Sequence, residues 1–270
     1  MIGFHDHPTA LHTIQLRRRR AAPRREGPLG GSAAHAVASV GAQRTRIKIC
    51  GLTREQDVDA AVAAGADAVG FVLYPPSPRY VTPARALELA RRLPPFVTPV
   101  LLFVNESAAK IIATCQDIPG ATVQFHGEET PGDCDRIARP YLRAARIPLG
   151  AAAAGFDLVK YAQDYSNAQA ILLDAHVDGY GGGGKAFNWS LLPPSVNAHL
   201  VLSGGLNAAN VIDGILQVRP RCRTLAVDVS SGVEIHKGIK SAEKINQFVA
   251  AVRAADEQFA KSNHVPVPAT

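Results

Sequence analysis

From Arg46 onward the chain alternates short apolar runs with amphipathic ones, strand then helix, and does so eight times. Few folds accept that order. The strand-like runs are Arg46–Ile49, Ala68–Leu73, Val100–Val104 and Thr122–Phe125, then Tyr141–Arg146, Ala170–Leu173, Leu200–Leu202 and Leu225–Val229. They are almost continuously apolar, as expected when helices cover one face of a sheet and a core fills the other. Between and after them the spacing predicts helices over Glu55–Ala64, Pro83–Leu93, Ala108–Gln116, Gly132–Ala138 and Phe156–Tyr165. A short helix at Trp189–Leu192 and longer ones at Ala208–Gln217 and Ala242–Ala255 follow. Thr53, Thr82, Ser107, Asn207 and Ser241 stand where helices would start and are expected to cap them. Eight such pairs in about 210 residues predict one (β/α)8 TIM barrel, an α/β fold, over residues 46–258. A doubly wound open sheet is the alternative, and pairing of the first strand with the eighth decides between them.

Residues 1–45 lack this periodicity and mix Pro, Gly and Ala with an Arg run, which predicts a disordered N-terminal extension. Residues 259–270 are expected to be a flexible C-terminal tail. Nearly all of the formal charge of +6 belongs to the extension, because residues 47–270 carry equal numbers of basic and acidic side chains and only Arg46 adds to it. That charge therefore says nothing about what the folded part binds. An organelle transit peptide, a nucleic-acid arm and an extension without function compete for the tail. The arm lacks aromatic residues that could stack on bases, and the third reading is preferred. The tail histidines His5, His7 and His12 make a poor metal site on a floppy segment. No apolar run approaches the roughly 18 residues of a membrane span. The four cysteines form no Cys-x-x-Cys pair, so reduced thiols and a cytoplasmic location are expected.

In a barrel the strand ends on the C-terminal face can be pooled, however far apart in sequence. Here the pool is Cys50, Tyr74, Asn105, Gln124, His126, Arg143, Asp174, Ser203, Gly204, Gly205, Asp228, Ser230 and Ser231. The segments Ser203-Gly204-Gly205 and Ser230-Ser231-Gly232 follow strands seven and eight, the usual phosphate position, where glycines let backbone N–H groups approach an anion. Gly179-Tyr180-Gly181-Gly182-Gly183-Gly184-Lys185 nearly matches a nucleotide-binding loop. Ala186 replaces the hydroxyl that would hold magnesium, however, so a glycine lid with Lys185 near a ligand fits better. Ser77-Pro78-Arg79 stiffens a loop that presents a guanidinium suited to a carboxylate.

Together these segments resemble phosphoribosylanthranilate isomerase. The matching pieces are Lys48-Ile49-Cys50-Gly51, Ser77-Pro78-Arg79-Tyr80, Gln124-Phe125-His126-Gly127, Leu173-Asp174, Gly181-Gly182 with Gly184-Lys185, Ser203-Gly204-Gly205 and Val227-Asp228-Val229-Ser230-Ser231-Gly232. They run in family order over about residues 46–255. Gly183, Ala186 and Asn188 depart from the usual lid pattern. The resemblance implies an Amadori rearrangement of N-(5-phosphoribosyl)anthranilate, with Asp174 as acid, Cys50 as base and Arg79 on the anthranilate carboxylate. His126, Gly182, Gly183, Lys185, Gly204, Gly205, Ser230, Ser231 and Gly232 would line the substrate. No cofactor or metal is implied, and a monomer or weak homodimer is expected.

A free thiol is only a few per cent ionised at neutral pH, so a base role asks for a favourable environment. Lys48 shares a strand face with Cys50 and is a candidate source. An aspartic acid is almost wholly ionised at pH 7, so an acid role asks for surroundings that favour its protonated form. Asp228 is read as structural, and Cys115, Cys134 and Cys222 as inert. Another sugar-phosphate isomerase, epimerase or indole-forming lyase would use the same phosphate loops. Cys50, Asp174 and Arg79 are what discriminate against these.

Overall fold

The structure, a computed structural model, describes residues 44–175 and 186–263. Eight parallel strands form a closed barrel. They are β1 (Arg46–Cys50), β2 (Ala68–Val72), β3 (Thr98–Phe103), β4 (Thr122–Phe125), β5 (Tyr141–Ile147), β6 (Ala170–Ala175), β7 (Val196–Leu202) and β8 (Cys222–Val229). β1 pairs with β8 through Arg46↔Ala226, Ile47↔Val227, Lys48↔Asp228 and Ile49↔Val229, which excludes the open sheet. The helices are α1 (Glu55–Ala63), α2 (Pro83–Ala90), α3 (Ala108–Asp117), α4 (Pro131–Arg136), α5 (Leu158–Asp164), α6 (Val211–Val218) and α7 (Ala242–Asn263).

Strand alternation divides the side chains between two cores. Ile47, Ile49, Val69, Phe71, Leu101 and Phe103 pack outward into the main cluster with the helices. Cys50, Val72, Leu102 and Val104 form a small cluster inside the barrel, and Ala144, Leu172 and Val201 another. The same alternation carries Lys48, Gln124, Asp174 and Asp228 inward, all of them buried. The polar residues near the C-terminal mouth are thus dictated by the period-2 pattern of strands whose other face is apolar.

Several expectations shift at the boundaries. α1 is capped by Arg54 and not Thr53, whose hydroxyl instead donates to the Gly238 carbonyl at 2.7 Å. α6 starts after Asn210, and Asn207 makes a tight local turn by accepting from Ala209 N–H. Thr82 does cap α2, and Thr130 forms an unanticipated capping box with Asp133. The short helix at Trp189–Leu191 is a 3-10 turn. α7 runs to Asn263, past Ala255 and into the expected tail. A two-stranded hairpin not foreseen from the sequence, β9 (Glu234–His236) with β10 (Ile239–Lys240), follows β8.

At the other end the contacts of the folded unit begin before residue 46. Thr45 is fully buried, and its N–H donates to both oxygens of Asp256 on α7, at 3.1 and 3.0 Å. Its hydroxyl donates to the same carboxylate at 2.5 Å. Arg219, also buried, pairs with Asp256. Removing that carboxylate leaves Arg219 without its counterion and the Thr45 N–H without its acceptor. Asp256→Ala is therefore expected to lower stability by about 3 kcal/mol in urea unfolding, with little change in turnover per folded molecule.

Candidate active site

β1 delivers Lys48 and Cys50 to the barrel interior, two residues apart on one face. The Lys48 ammonium bonds the Asp228 carboxylate of β8 at 2.9 Å, and both side chains are about 95% buried. Ser203, at the end of β7, donates to the other Asp228 oxygen at 3.2 Å. Asp228 therefore orients its neighbours, as the sequence suggested. Burial alone would lower the Lys48 pKa, but Asp228 and then Cys50 outweigh it, and the group stays charged above its ordinary value.

Burial pushes the Cys50 thiol up, the Lys48 ammonium pulls it down, and Asp228 adds to the rise. The balance is upward, opposite to the depression expected for a base. Lys48 is nonetheless the largest opposing influence. Room for this pair depends on β2. A methyl group at Gly70 would lie 2.6 Å from the Cys50 sulfur and 3.1 Å from Lys48 Nζ. Only glycine leaves both groups where they are.

Across the barrel, Asp174 on β6 is 6% exposed. Its Oδ1 accepts from Ala175 N–H, and its Oδ2 lies 3.0 Å from His126 Nε2. Gln124 Nε2 lies 3.2 Å from His126 Nδ1, so one ring nitrogen faces Gln124 and the other faces Asp174. His126, which the sequence left between pocket wall and structural brace, directly holds the carboxylate. Gln124 Oε1 is buried without a hydrogen bond.

Gly204 and Gly205 follow β7, and Ser230 follows β8 and leads into a 3-10 turn, Ser231–Val233. The two loops touch. A side chain at Gly232 would come within 2.0 Å of the Leu206 carbonyl oxygen, which keeps glycine there. Gly182, Gly183 and Lys185 lie outside the described residues. Arg79 is 6% exposed and its fork is already engaged, with Nε and Nη2 each 2.8 Å from the Glu234 carboxylate. The bidentate carboxylate that the loop suggested is thus supplied by the chain itself.

Arg143 leaves the pooled set. It bonds Glu129 and the Gly127 carbonyl and lies over the Tyr165 ring, on the outer face of β5. Arg146 takes its place. It shares a strand face with Ala144 and is the register partner of Asp174. Its signal was the alternation of β5, read one step out of phase. Among the described residues no group of three or more His, Cys, Asp or Glu could hold a metal, and no helix is long and apolar enough to cross a membrane.

Two substitutions test the Cys50 environment. Lys48→Met is expected to raise the Cys50 pKa further, seen as slower alkylation at pH 8 by about tenfold for each unit of the change. Gly70→Ala is expected to displace the sulfur and cost at least 100-fold in turnover, roughly the scale of losing an acid–base partner.

The comparisons agree with this geometry. The family model for N-(5'-phosphoribosyl)anthranilate (PRA) isomerase matches residues 47–251. The N-(5'-phosphoribosyl)anthranilate isomerase of Methylibium petroleiphilum is 63% identical over 219 residues, covering 81% of this chain and 99% of its own. That of Dechloromonas aromatica is 59% identical, covering 80% of this chain and all of its own. Among solved structures, the Thermotoga maritima phosphoribosyl anthranilate isomerase superposes with TM-score 0.69 at 41% identity, covering 78% of this chain and 99% of that one. Another phosphoribosyl anthranilate isomerase, in complex with reduced 1-(o-carboxyphenylamino)-1-deoxyribulose 5-phosphate, superposes with TM-score 0.65 at 39% identity, over 78% and 99%. A closed eight-stranded barrel matched in sequence from its first strand into its last helix leaves one conclusion: this chain belongs to the phosphoribosylanthranilate isomerases of tryptophan biosynthesis.

Proposed function

We propose that Cys50 and Asp174 are the base and acid of this isomerase, working on a sugar held between the β7 and β8 loops and Arg79. The observation that carries the reading is the arrangement of two buried groups at the end of inward-facing strand positions. Each has its own partner: Lys48 beside the sulfur, His126 on the carboxylate. In the first step protonated Asp174 gives its proton to the furanose ring oxygen. The C1–O bond breaks as the anilino nitrogen's lone pair forms a C1 iminium. In the second step the Cys50 thiolate takes the C2 proton, and the released electron pair forms the C1–C2 double bond and neutralises the iminium. The enolamine then loses its hydroxyl proton and gains one at C1, giving the ketone, 1-(2-carboxyphenylamino)-1-deoxyribulose 5-phosphate. No atoms are gained or lost.

Gly204, Gly205, Ser230, Ser231 and Gly232 receive the phosphoryl group; Gly182, Gly183 and Lys185, outside the described residues, are assigned to the substrate by the family resemblance alone. Arg79 meets the anthranilate carboxylate with the guanidinium edge that Glu234 does not cover. His126 aligns Asp174. The chemistry asks for no cofactor. The four free cysteines suit a reducing compartment such as the cytoplasm. The isomerase acts as a monomer or weak homodimer. A Thermotoga maritima relative is described as dimeric, and the fully exposed Phe96, on the loop between α2 and β3, is an apolar contact available for self-association. Light scattering from 1 to 100 µM protein (roughly the range over which weak pairs form) would read this, with one species throughout as the monomer outcome.

The direct test is fluorescence-monitored consumption of phosphoribosylanthranilate. Cys50→Ser and Asp174→Asn are expected to lose turnover by about 10²–10⁴-fold or more while KM changes far less. An active Cys50→Ala enzyme would refute the base assignment. The pH dependence has a definite sign. A thiol held above its ordinary value is still mostly protonated at neutral pH, so its ionised fraction keeps growing. kcat/KM in the Cys50-limited regime should climb about tenfold per pH unit from 7 to 8.5, with no plateau in that window.

A further inference from the structure

Lys240, on β10, has a side chain with no solvent exposure. Its ammonium donates to the Ser230 carbonyl at 3.1 Å, the Ser230 hydroxyl at 3.3 Å and Glu234 Oε1 at 2.8 Å. Those three acceptors match the three protons of an ammonium. Glu234, on β9, in turn holds Arg79 through Nε and Nη2 and accepts from Gly238 N–H at 3.1 Å. One cation and one carboxylate thus bridge the loop after β8 to the arginine after β2. The hairpin that carries them is itself clamped to the start of the first helix. Thr53 donates to the Gly238 carbonyl at 2.7 Å, and Lys240 N–H donates to Asp57 at 3.1 Å.

Burying two cations around one carboxylate is expensive, and a hydrophobic hairpin could cover this face at lower cost. What the charged version adds is direction. Each donor and acceptor fixes one end of the site relative to the other. We propose that Lys240 and Glu234 are positioning residues that couple the two anion-binding ends of the active site, so that the phosphoryl loop and the carboxylate-binding arginine are held at one separation. The proposal rests on the placement of the phosphoryl group at Ser230–Gly232 and of the carboxylate at Arg79. Glu234 also closes one edge of Arg79, so the guanidinium offers its Nη1 end to a ligand. That makes Glu234 specificity-determining as well: an acidic ring substituent is accepted in one orientation only.

Inorganic phosphate, used as a competitive inhibitor, reads the loop without engaging Arg79. Glu234→Gln keeps the shape of the side chain and touches Arg79 and Lys240, not the phosphoryl loop itself. It is expected to raise both KM and the phosphate Ki by about tenfold, the scale of one charge-assisted hydrogen bond, with kcat changed by less. Lys240→Met should do the same, and Lys240→Arg should restore part of the loss. A merely structural role would lower the thermal midpoint and leave both constants alone. An unchanged phosphate Ki in folded Glu234→Gln therefore overturns the coupling. Ser231→Ala serves as the separate control on the loop. If it too leaves phosphate inhibition unchanged, the phosphoryl placement itself fails, and the coupling with it.

Discussion

The seam between β1 and β8 is the constraint on which the rest of the molecule turns. Four register pairs join the first strand to the last, and one of them, Lys48↔Asp228, is a buried ion pair aimed into the barrel. Two charges taken out of water stabilise little by themselves, but they tolerate no slip. A one-residue slip of β1 would turn Lys48 outward into the apolar layer around Ile47 and leave Asp228 inside without its cation. The same register sets Cys50 two residues beyond Lys48 and beside the space left by Gly70. Closing the barrel and placing the thiol are thus one event.

On the opposite wall a hydrogen-bonded chain from Gln124 through His126 does for Asp174 what the ion pair does for Cys50. The two halves differ in kind. The sulfur sits beside a full positive charge, whereas the carboxyl faces an imidazole nitrogen and a backbone N–H. The proposed base thus has a cation for a neighbour, and the proposed acid has hydrogen-bonding groups.

Most of this was legible from residues alone. Long apolar runs marked the strands, and reading their ends placed Cys50, His126, Asp174 and the β7 and β8 loops on one face. What escaped was short or atypical. β9 and β10 are three and two residues long, too brief for any periodicity, so neither Glu234 nor Lys240 stood out. Arg143 and Arg146 are three residues apart on one strand and therefore face opposite sides. Only the neighbouring alanines, Ala144 inward and Ala145 outward, tell which is which. Thr53 does not cap α1 because the N-cap position falls one residue later, at Arg54, and the Thr53 hydroxyl donates to the Gly238 carbonyl. Arg79 was read as a ligand for a substrate carboxylate, and a distant glutamate could not be seen as its partner before the hairpin was known.

The clasp between Thr45 and Asp256 joins positions 211 residues apart. During synthesis the opening strand leaves the ribosome long before the helix that fastens it. Its edge must wait unpaired until β8 and α7 have emerged, since neither neighbour on that side exists earlier. A nascent chain of this design therefore carries an open sheet margin for nearly the whole of its translation, and the charged Arg46 and Lys48 along that margin discourage it from docking on another polypeptide in the interval.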